Sequence, residues 1–238
     1  MSTETVLVIG ANRGIGFELA TRLLRKGHKV FGTYRPHTKD DVSVAELKRT
    51  GVQTLELDYA DEDSINAAAQ SVGGEKLDVL INCGAIYNTW DEKPFTEQTA
   101  EDLLSHFKIN VVGPFLASKA FLPALQKAEN ARIITMSSDF ASIADNTGGN
   151  VCYRLSKAGV NQLTRTMAID LGKLGSQVKT LAVHPGCLPT KMSEWTGDDN
   201  MEECMSNLVE VIARFGTASG ADIPNGGYVK WNGDIMAY

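Results

Sequence analysis

Tyr153 and Lys157 stand four residues apart in a segment with helical periodicity, so their side chains share one helix face. A tyrosine hydroxyl in water titrates at about 10, too high for ready proton exchange at neutral pH, and an adjacent ammonium favours the phenolate and lowers that value. Such a pair can protonate a carbonyl oxygen in one direction and deprotonate an alcohol in the other. The same spacing also occurs on any exposed helix. Ser137-Ser138 strengthens the chemical reading, because it closes an apolar run that reads as a buried strand. A hydroxyl on that rim could polarise a carbonyl, the alternative being a strand-end serine bonded to its own backbone.

A second constellation is Gly10-Ala-Asn-Arg-Gly14-Ile-Gly16, directly after the first apolar run and opening a helix near Gly14. Glycines there permit a tight turn and close approach of a pyrophosphate, to which the helix start offers free N–H groups. Gly10, Asn12, Arg13, Gly14, Ile15 and Gly16 are the candidate dinucleotide contacts of this loop. The segment contains no Lys-Ser/Thr of a P-loop. About 20 residues on, an NAD site carries an acid for the ribose hydroxyl, but this chain reads Thr33-Tyr34-Arg35. One cation about 4 Å from a unit charge is worth about 4 kcal/mol at an effective dielectric of about 20. Arg35 and Arg13 therefore bracket a 2′-phosphate in this reading, which makes the cofactor NADP(H). Two solvated surface arginines are the alternative.

The elements that must position these groups are legible as alternating apolar runs and helical patterns. The runs are Val6 to Ile9, Lys29 to Tyr34, Val52 to Leu57, Leu77 to Asn82, Arg132 to Ser137, Val178 to His184 and Gly227 to Trp231. This alternation predicts an α/β fold: a Rossmann-type doubly wound parallel sheet in three layers, with ligands beyond the carboxyl ends of the strands. Two helical stripes stand out. One follows the capping-box pattern Thr99-x-x-Asp102 with Leu103, Phe107, Val111 and Phe115, and the other carries Val160, Leu163, Met167, Leu171 and Leu174. Both are expected to be core. Pro114 is expected to bend or loosen the first helix near Asn110. The polar stretches Pro36 to Asp41, Tyr87 to Glu97, Asp139 to Asn150 and Pro189 to Met201 read as loops.

Composition bounds the rest. The 238 residues are 43% hydrophobic and 22% charged, close to a globular average, and no linker divides them, so residues 1–238 are expected to form one domain. A net charge of −6 without a basic run argues against nucleic acid as a partner. No basic and apolar leader or 18-residue apolar stretch occurs, so a membrane is not expected and a cytoplasmic setting is. Cys83, Cys152, Cys187 and Cys204 have no C-x-x-C pair or histidine spacing that completes a metal site, and read as reduced thiols.

The glycine loop, Asn82-Cys-Gly-Ala, Asn110, Ser138, Tyr153-x-x-x-Lys157 and Pro185-Gly186 occur in this order along essentially the whole chain. Together they resemble the single-domain short-chain dehydrogenases/reductases, and the phrases around IITMSS and Asn-Thr-Gly-Gly look most like the branch of sniffer- and C-factor-like carbonyl reductases. The resemblance implies that Tyr153 is the acid/base, that Lys157 lowers its pKa and holds the nicotinamide ribose, that Ser138 orients the carbonyl and that Asn110 holds a relay water. It implies that Asp58 and Tyr59 flank the adenine, that Asn82 and Gly84 line the ribose, and that Pro185, Gly186, Leu188 and Thr190 cover the nicotinamide, the last two touching its carboxamide. It also implies a substrate lid over about residues 189–207, where Met192, Trp195 and Met201 suggest an apolar or aromatic carbonyl or alcohol substrate, or mere packing. Relatives commonly pair through the two long helices, so a homo-oligomer is in view. Departures from the family pattern are Ile9 in place of Thr, Cys83-Gly84-Ala85 in place of Asn-Ala-Gly, a longer Ser138 to Tyr153 segment, and Asp139. The function read from all this is NADPH-dependent reduction of a ketone or aldehyde. A dinucleotide-binding regulator without turnover and an NAD-linked alcohol dehydrogenase are the rivals.

Overall fold

The computed structural model describes residues 3–72, 74–87 and 94–238. Seven strands, β1 (Thr5–Ile9), β2 (Lys29–Tyr34), β3 (Gln53–Glu56), β4 (Val79–Asn82), β5 (Arg132–Met136), β6 (Lys179–His184) and β7 (Gly227–Lys230), form one sheet. Its order is β3-β2-β1-β4-β5-β6-β7, with every neighbouring pair parallel. The strand order reverses between β1 and β4, where Ile9 pairs with Asn82. A crevice opens beyond the carboxyl ends of the strands at such a reversal.

The helices are α1 (Gly14–Arg25), α2 (Val42–Arg49), α3 (Glu62–Ser71), α4 (Ala100–Phe107), α5 (Gly113–Leu125), α6 (Val151–Lys173) and α7 (Met201–Arg214). Strand periodicity sorts the core into two layers. Val6 and Val8 face Leu19, Leu23, Met205 and Leu208 of α1 and α7. Leu7 and Ile9 face Phe121, Leu125 and Leu171 on the opposite side. Each fully buried Leu or Phe contributes about 1.5–3 kcal/mol of transfer free energy, so both sheet faces are firmly covered.

The predicted strands all form, with ends shifted by one or two residues. The Thr99–Asp102 capping box also forms, Thr99 Oγ1 accepting from the Asp102 amide at 3.1 Å. Between α4 and α5, Lys108–Val112 takes a π turn around Asn110, with Pro114 in the first turn of α5. The expectation of a loosened helix is met by this wider turn. The same turn overturns the expected core stripe. Its extra residue rotates α5 relative to α4 and leaves Phe115 45% exposed; Phe107, on α4 itself, is 42% exposed, and only Val111 of the four is buried. The buried face runs instead through His106, Asn110, Ala117 and Phe121. In the second stripe, Val160 and Leu171 are core but Leu174, at the end of α6, is exposed.

The segments read as loops carry short 3-10 turns at Pro36–Thr38, Phe95–Glu97, Asp139–Ala141 and Lys191–Ser193. Most of the Tyr87 to Glu97 stretch lies outside the described residues. No described helix is long and apolar enough to cross a membrane.

Candidate active site

The glycine loop closes on itself. Gly10 and Gly14 adopt positive φ of 83° and 55°. A Cβ on Gly16 would lie 2.2 Å from the Gly10 carbonyl oxygen, so no other residue fits there. Arg13 is the residue before α1, and no side chain caps the helix start. Its N–H groups are thus left for an anion at the rim of the sheet. Gly16→Ala is expected to lower stability by about 1–3 kcal/mol, a few degrees in Tm, and to abolish dinucleotide binding. Thermal melts with and without NADPH check this.

Asn12 donates from Nδ2 to Ser43 Oγ at 3.0 Å, tying the loop to α2. Arg13 and Arg35 are both exposed, and neither pairs with a carboxylate among the described residues. An uncapped helix start, a cradle that any Cβ would fill and two unpaired guanidiniums fit a phosphorylated dinucleotide.

The other expected adenosine contacts are placed less simply. The Asp58 carboxylate is half-buried and accepts from the Ala60 amide at 2.9 Å. Tyr59 points inward and is only 6% exposed, its ring lying against Gly113, where a Cβ would meet the ring Cγ at 2.5 Å. Its hydroxyl donates to Asn82 Oδ1 at 2.9 Å, and Asn82 Nδ2 donates to Ser118 Oγ at 3.2 Å. Both side chains therefore brace the end of β4, and what Tyr59 and Asn82 can offer a ligand is backbone. Gly84 sits beside Gly10.

Ser138, Tyr153 and Lys157 converge at the ends of β5 and α6. The Ser138 hydroxyl donates to Asp139 Oδ1 at 2.8 Å and accepts from the Phe140 amide at 3.2 Å. Tyr153 is buried between Tyr87 and Phe140, with ring centroids at 4.8 and 5.9 Å, both edge to face. Lys157 is buried, donates from Nζ to the Met136 carbonyl at 2.7 Å and lies 5.5 Å from the Tyr153 ring centre. Asn110 clamps the loop after β4. Its Oδ1 accepts from the Ile86 amide at 2.8 Å, and its Nδ2 donates to the Ile86 carbonyl at 2.9 Å and to Ser156 Oγ at 3.0 Å. The Ser156 hydroxyl in turn donates to the Tyr153 carbonyl at 2.8 Å, so the π turn and the first turn of α6 are one hydrogen-bonded unit.

Burial governs the electrostatics here. Burial dominates at Tyr153 and pushes its hydroxyl well above the ordinary tyrosine value, with hydrogen bonding to Ser138 pulling the other way. Burial also brings the Lys157 ammonium down, to about 8. Tyr153 thus stands protonated, the form that donates to a carbonyl oxygen. Burial also lowers His184, whose Nδ1 accepts from the Asp139 amide at 3.2 Å.

The segment after β6 folds over the glycine loop. A Cβ on Gly14 would lie 3.5 Å from Thr190 Cγ2. Pro185 and Leu188 are buried, and Gly186 has φ 98°. Cys187 donates from its amide to Asp199 Oδ2 at 2.7 Å, and the Asp199 amide returns a bond to the Cys187 carbonyl at 3.0 Å. Met192 and Trp195 are exposed, while Met201 packs against the core.

Sequence reasoning did not pick out Tyr87, Phe140 or Arg154. Arg154 lies 4.4 Å from the Phe140 ring centre and donates from Nε to the carbonyls of Gly148 and Gly149 at 3.1 and 3.0 Å. Gly148, Gly149 and Asn150 are all left-handed, and this reversal starts α6. The Gly-Gly-Asn run was the visible signal for it.

A family model described as short chain dehydrogenase matches residues 4–200. The NADPH-bound carbonyl reductase from chicken fatty liver is 31% identical, with a TM-score of 0.88 and 100% of both chains covered. The carbonyl reductase Sniffer of Drosophila melanogaster is 26% identical, with a TM-score of 0.87 and 100% of both chains covered. A 3-oxoacyl-(acyl-carrier-protein) reductase of Staphylococcus aureus is 30% identical over 228 residues, 94% of this chain and 88% of that one. This chain belongs to the short-chain dehydrogenase family, and it is an oxidoreductase of that family.

Proposed function

We propose that this protein is an NADPH-dependent carbonyl reductase. The observation that carries the reading is the convergence of Ser138, Tyr153 and Lys157 on the rim of the sheet that also presents the glycine cradle. The likeness to the NADPH-bound chicken enzyme supports the choice of cofactor. When bound, NADPH supplies the hydride. Arg13 and Arg35 hold the 2′-phosphate, while Gly10, Asn12, Gly14, Ile15 and Gly16 accommodate the pyrophosphate. The Asp58, Tyr59, Asn82 and Gly84 backbone borders the adenosine side. Pro185, Gly186, Leu188 and Thr190 would cover the nicotinamide side, and Lys157 would hold the nicotinamide ribose.

Tyr153 then gives its proton to the carbonyl oxygen, which Ser138 orients. Asn110 holds the π turn and would hold a water there for the proton relay. Residues 1–238 work as one catalytic unit, with 189–207 as the lid. Four cysteines outside any disulfide suit a reducing, cytoplasmic setting. The test is NADPH consumption with a panel of ketones, quinones and aldehydes. Turnover of at least one, matched by alcohol formation, is expected, and tight NADPH binding without turnover of any overturns the reading.

The exposed Leu104, Phe107, Val112 and Phe115 on α4, the π turn and α5 support pairing with a second copy through this face. Phe115→Glu is expected to halve the mass measured by light scattering. A wild-type protein that is already monomeric contradicts the pairing.

A further inference from the structure

The Ser138 hydroxyl has one proton and, besides Tyr153, two claimants. Asp139 Oδ1 holds it at 2.8 Å, whereas orienting a substrate carbonyl requires that it turn to the carbonyl oxygen. Oδ1 keeps the Phe140 amide at 3.0 Å, and Oδ2 accepts no bond from the described residues. The backbone that carries the carboxylate is held, because the Asp139 amide donates to His184 Nδ1 at 3.2 Å and the Ser138 carbonyl accepts from the Tyr228 hydroxyl at 2.6 Å. It belongs to the mouth of the site, since the next residue, Phe140, packs edge-on against Tyr153.

We propose that Asp139 is a specificity-determining residue that selects carbonyl compounds carrying a hydroxyl or amine donor on the carbon next to the carbonyl. This inference rests on the carbonyl-reductase reading above. Once Ser138 bonds the substrate carbonyl, Asp139 loses a donor. A hydroxyl on the neighbouring carbon replaces it and leaves the Ser138 proton free for the carbonyl. A plain ketone offers no replacement, so Asp139 goes on competing for that proton. The Asp139 side chain is 54% exposed, so water can also solvate it. The preference is accordingly about tenfold, the scale of one hydrogen bond to a charged acceptor near solvent, and not several thousandfold.

The probes are acetophenone, 2-hydroxyacetophenone and 2-methoxyacetophenone, assayed by NADPH consumption in wild type, Asp139→Ala and Asp139→Asn. In wild type, kcat/KM for the hydroxy ketone is expected to exceed that for the methoxy ketone about tenfold. Asp139→Ala is expected to move the probes in opposite directions, the hydroxy ketone falling about tenfold and acetophenone rising about threefold. Asp139→Asn, which keeps an acceptor oxygen, restores part of the hydroxy ketone rate. A generally damaged site lowers all three probes together, and that outcome overturns the proposal, as does a hydroxy-to-methoxy ratio unchanged in Asp139→Ala. Should no probe and no other carbonyl be turned over by wild type, the reductase reading falls and this inference with it. Turnover with the wrong pattern sinks the inference alone.

Discussion

Tyr153→Phe is expected to lower kcat for carbonyl reduction by about 10² to 10⁴-fold, the range that a positioned general acid contributes. Only the hydroxyl is removed. The ring contacts with Tyr87 and Phe140 persist, and the Ser156 bond to the Tyr153 backbone does not depend on the side chain. Folding should therefore be unchanged in thermal melts, and NADPH affinity should stay within a few-fold of wild type. The loss should appear in kcat and kcat/KM alike, because the proton is needed only as charge develops on the carbonyl oxygen. The direction of the electrostatics agrees, since burial holds Tyr153 in its acid form. Undiminished turnover in this variant removes the role given to Tyr153.

Arg35→Asp is expected to reverse the cofactor preference. A guanidinium about 4 Å from a phosphate charge is worth about 4 kcal/mol at an effective dielectric of about 20. Arg35 is exposed, so screening by water reduces that to about 1–2 kcal/mol. The introduced carboxylate adds repulsion of similar size and gives the ribose 2′-hydroxyl of NADH an acceptor. The ratio of NADPH to NADH kcat/KM should thus fall by about 10² or more, most of it in the KM for NADPH. An unchanged ratio means that the 2′-phosphate does not lie at the end of β2.

The fold was legible because its determinants are local and periodic. Buried parallel strands leave continuous apolar runs, and the Thr99–Asp102 box and Pro114 mark their helix as a start and a disruption. The exposure of Phe115 was not legible. A π turn adds one residue to a helical turn, and four-residue spacing carried across it no longer traces a single face. Within the site, residue types and order pointed to the groups that gather at the rim. Their partners depend on side chains distant in sequence, such as Tyr59 with Asn82 or Asn110 with Ile86. The burial of Tyr153 was hidden for a related reason. Spacing shows that Lys157 is near, but only the packed structure shows that both groups are desolvated together.

The most direct measurement of the central claim is isotope transfer. NADPH carrying deuterium on the transferred position of C4 is incubated with the enzyme and a ketone it consumes, and the alcohol is examined by mass spectrometry. The expected product carries a single deuterium on the former carbonyl carbon, and formation of the labelled alcohol is suppressed in Tyr153→Phe. An unlabelled alcohol, or a labelled one formed at the same rate by Tyr153→Phe, contradicts carbonyl reduction by NADPH through Tyr153.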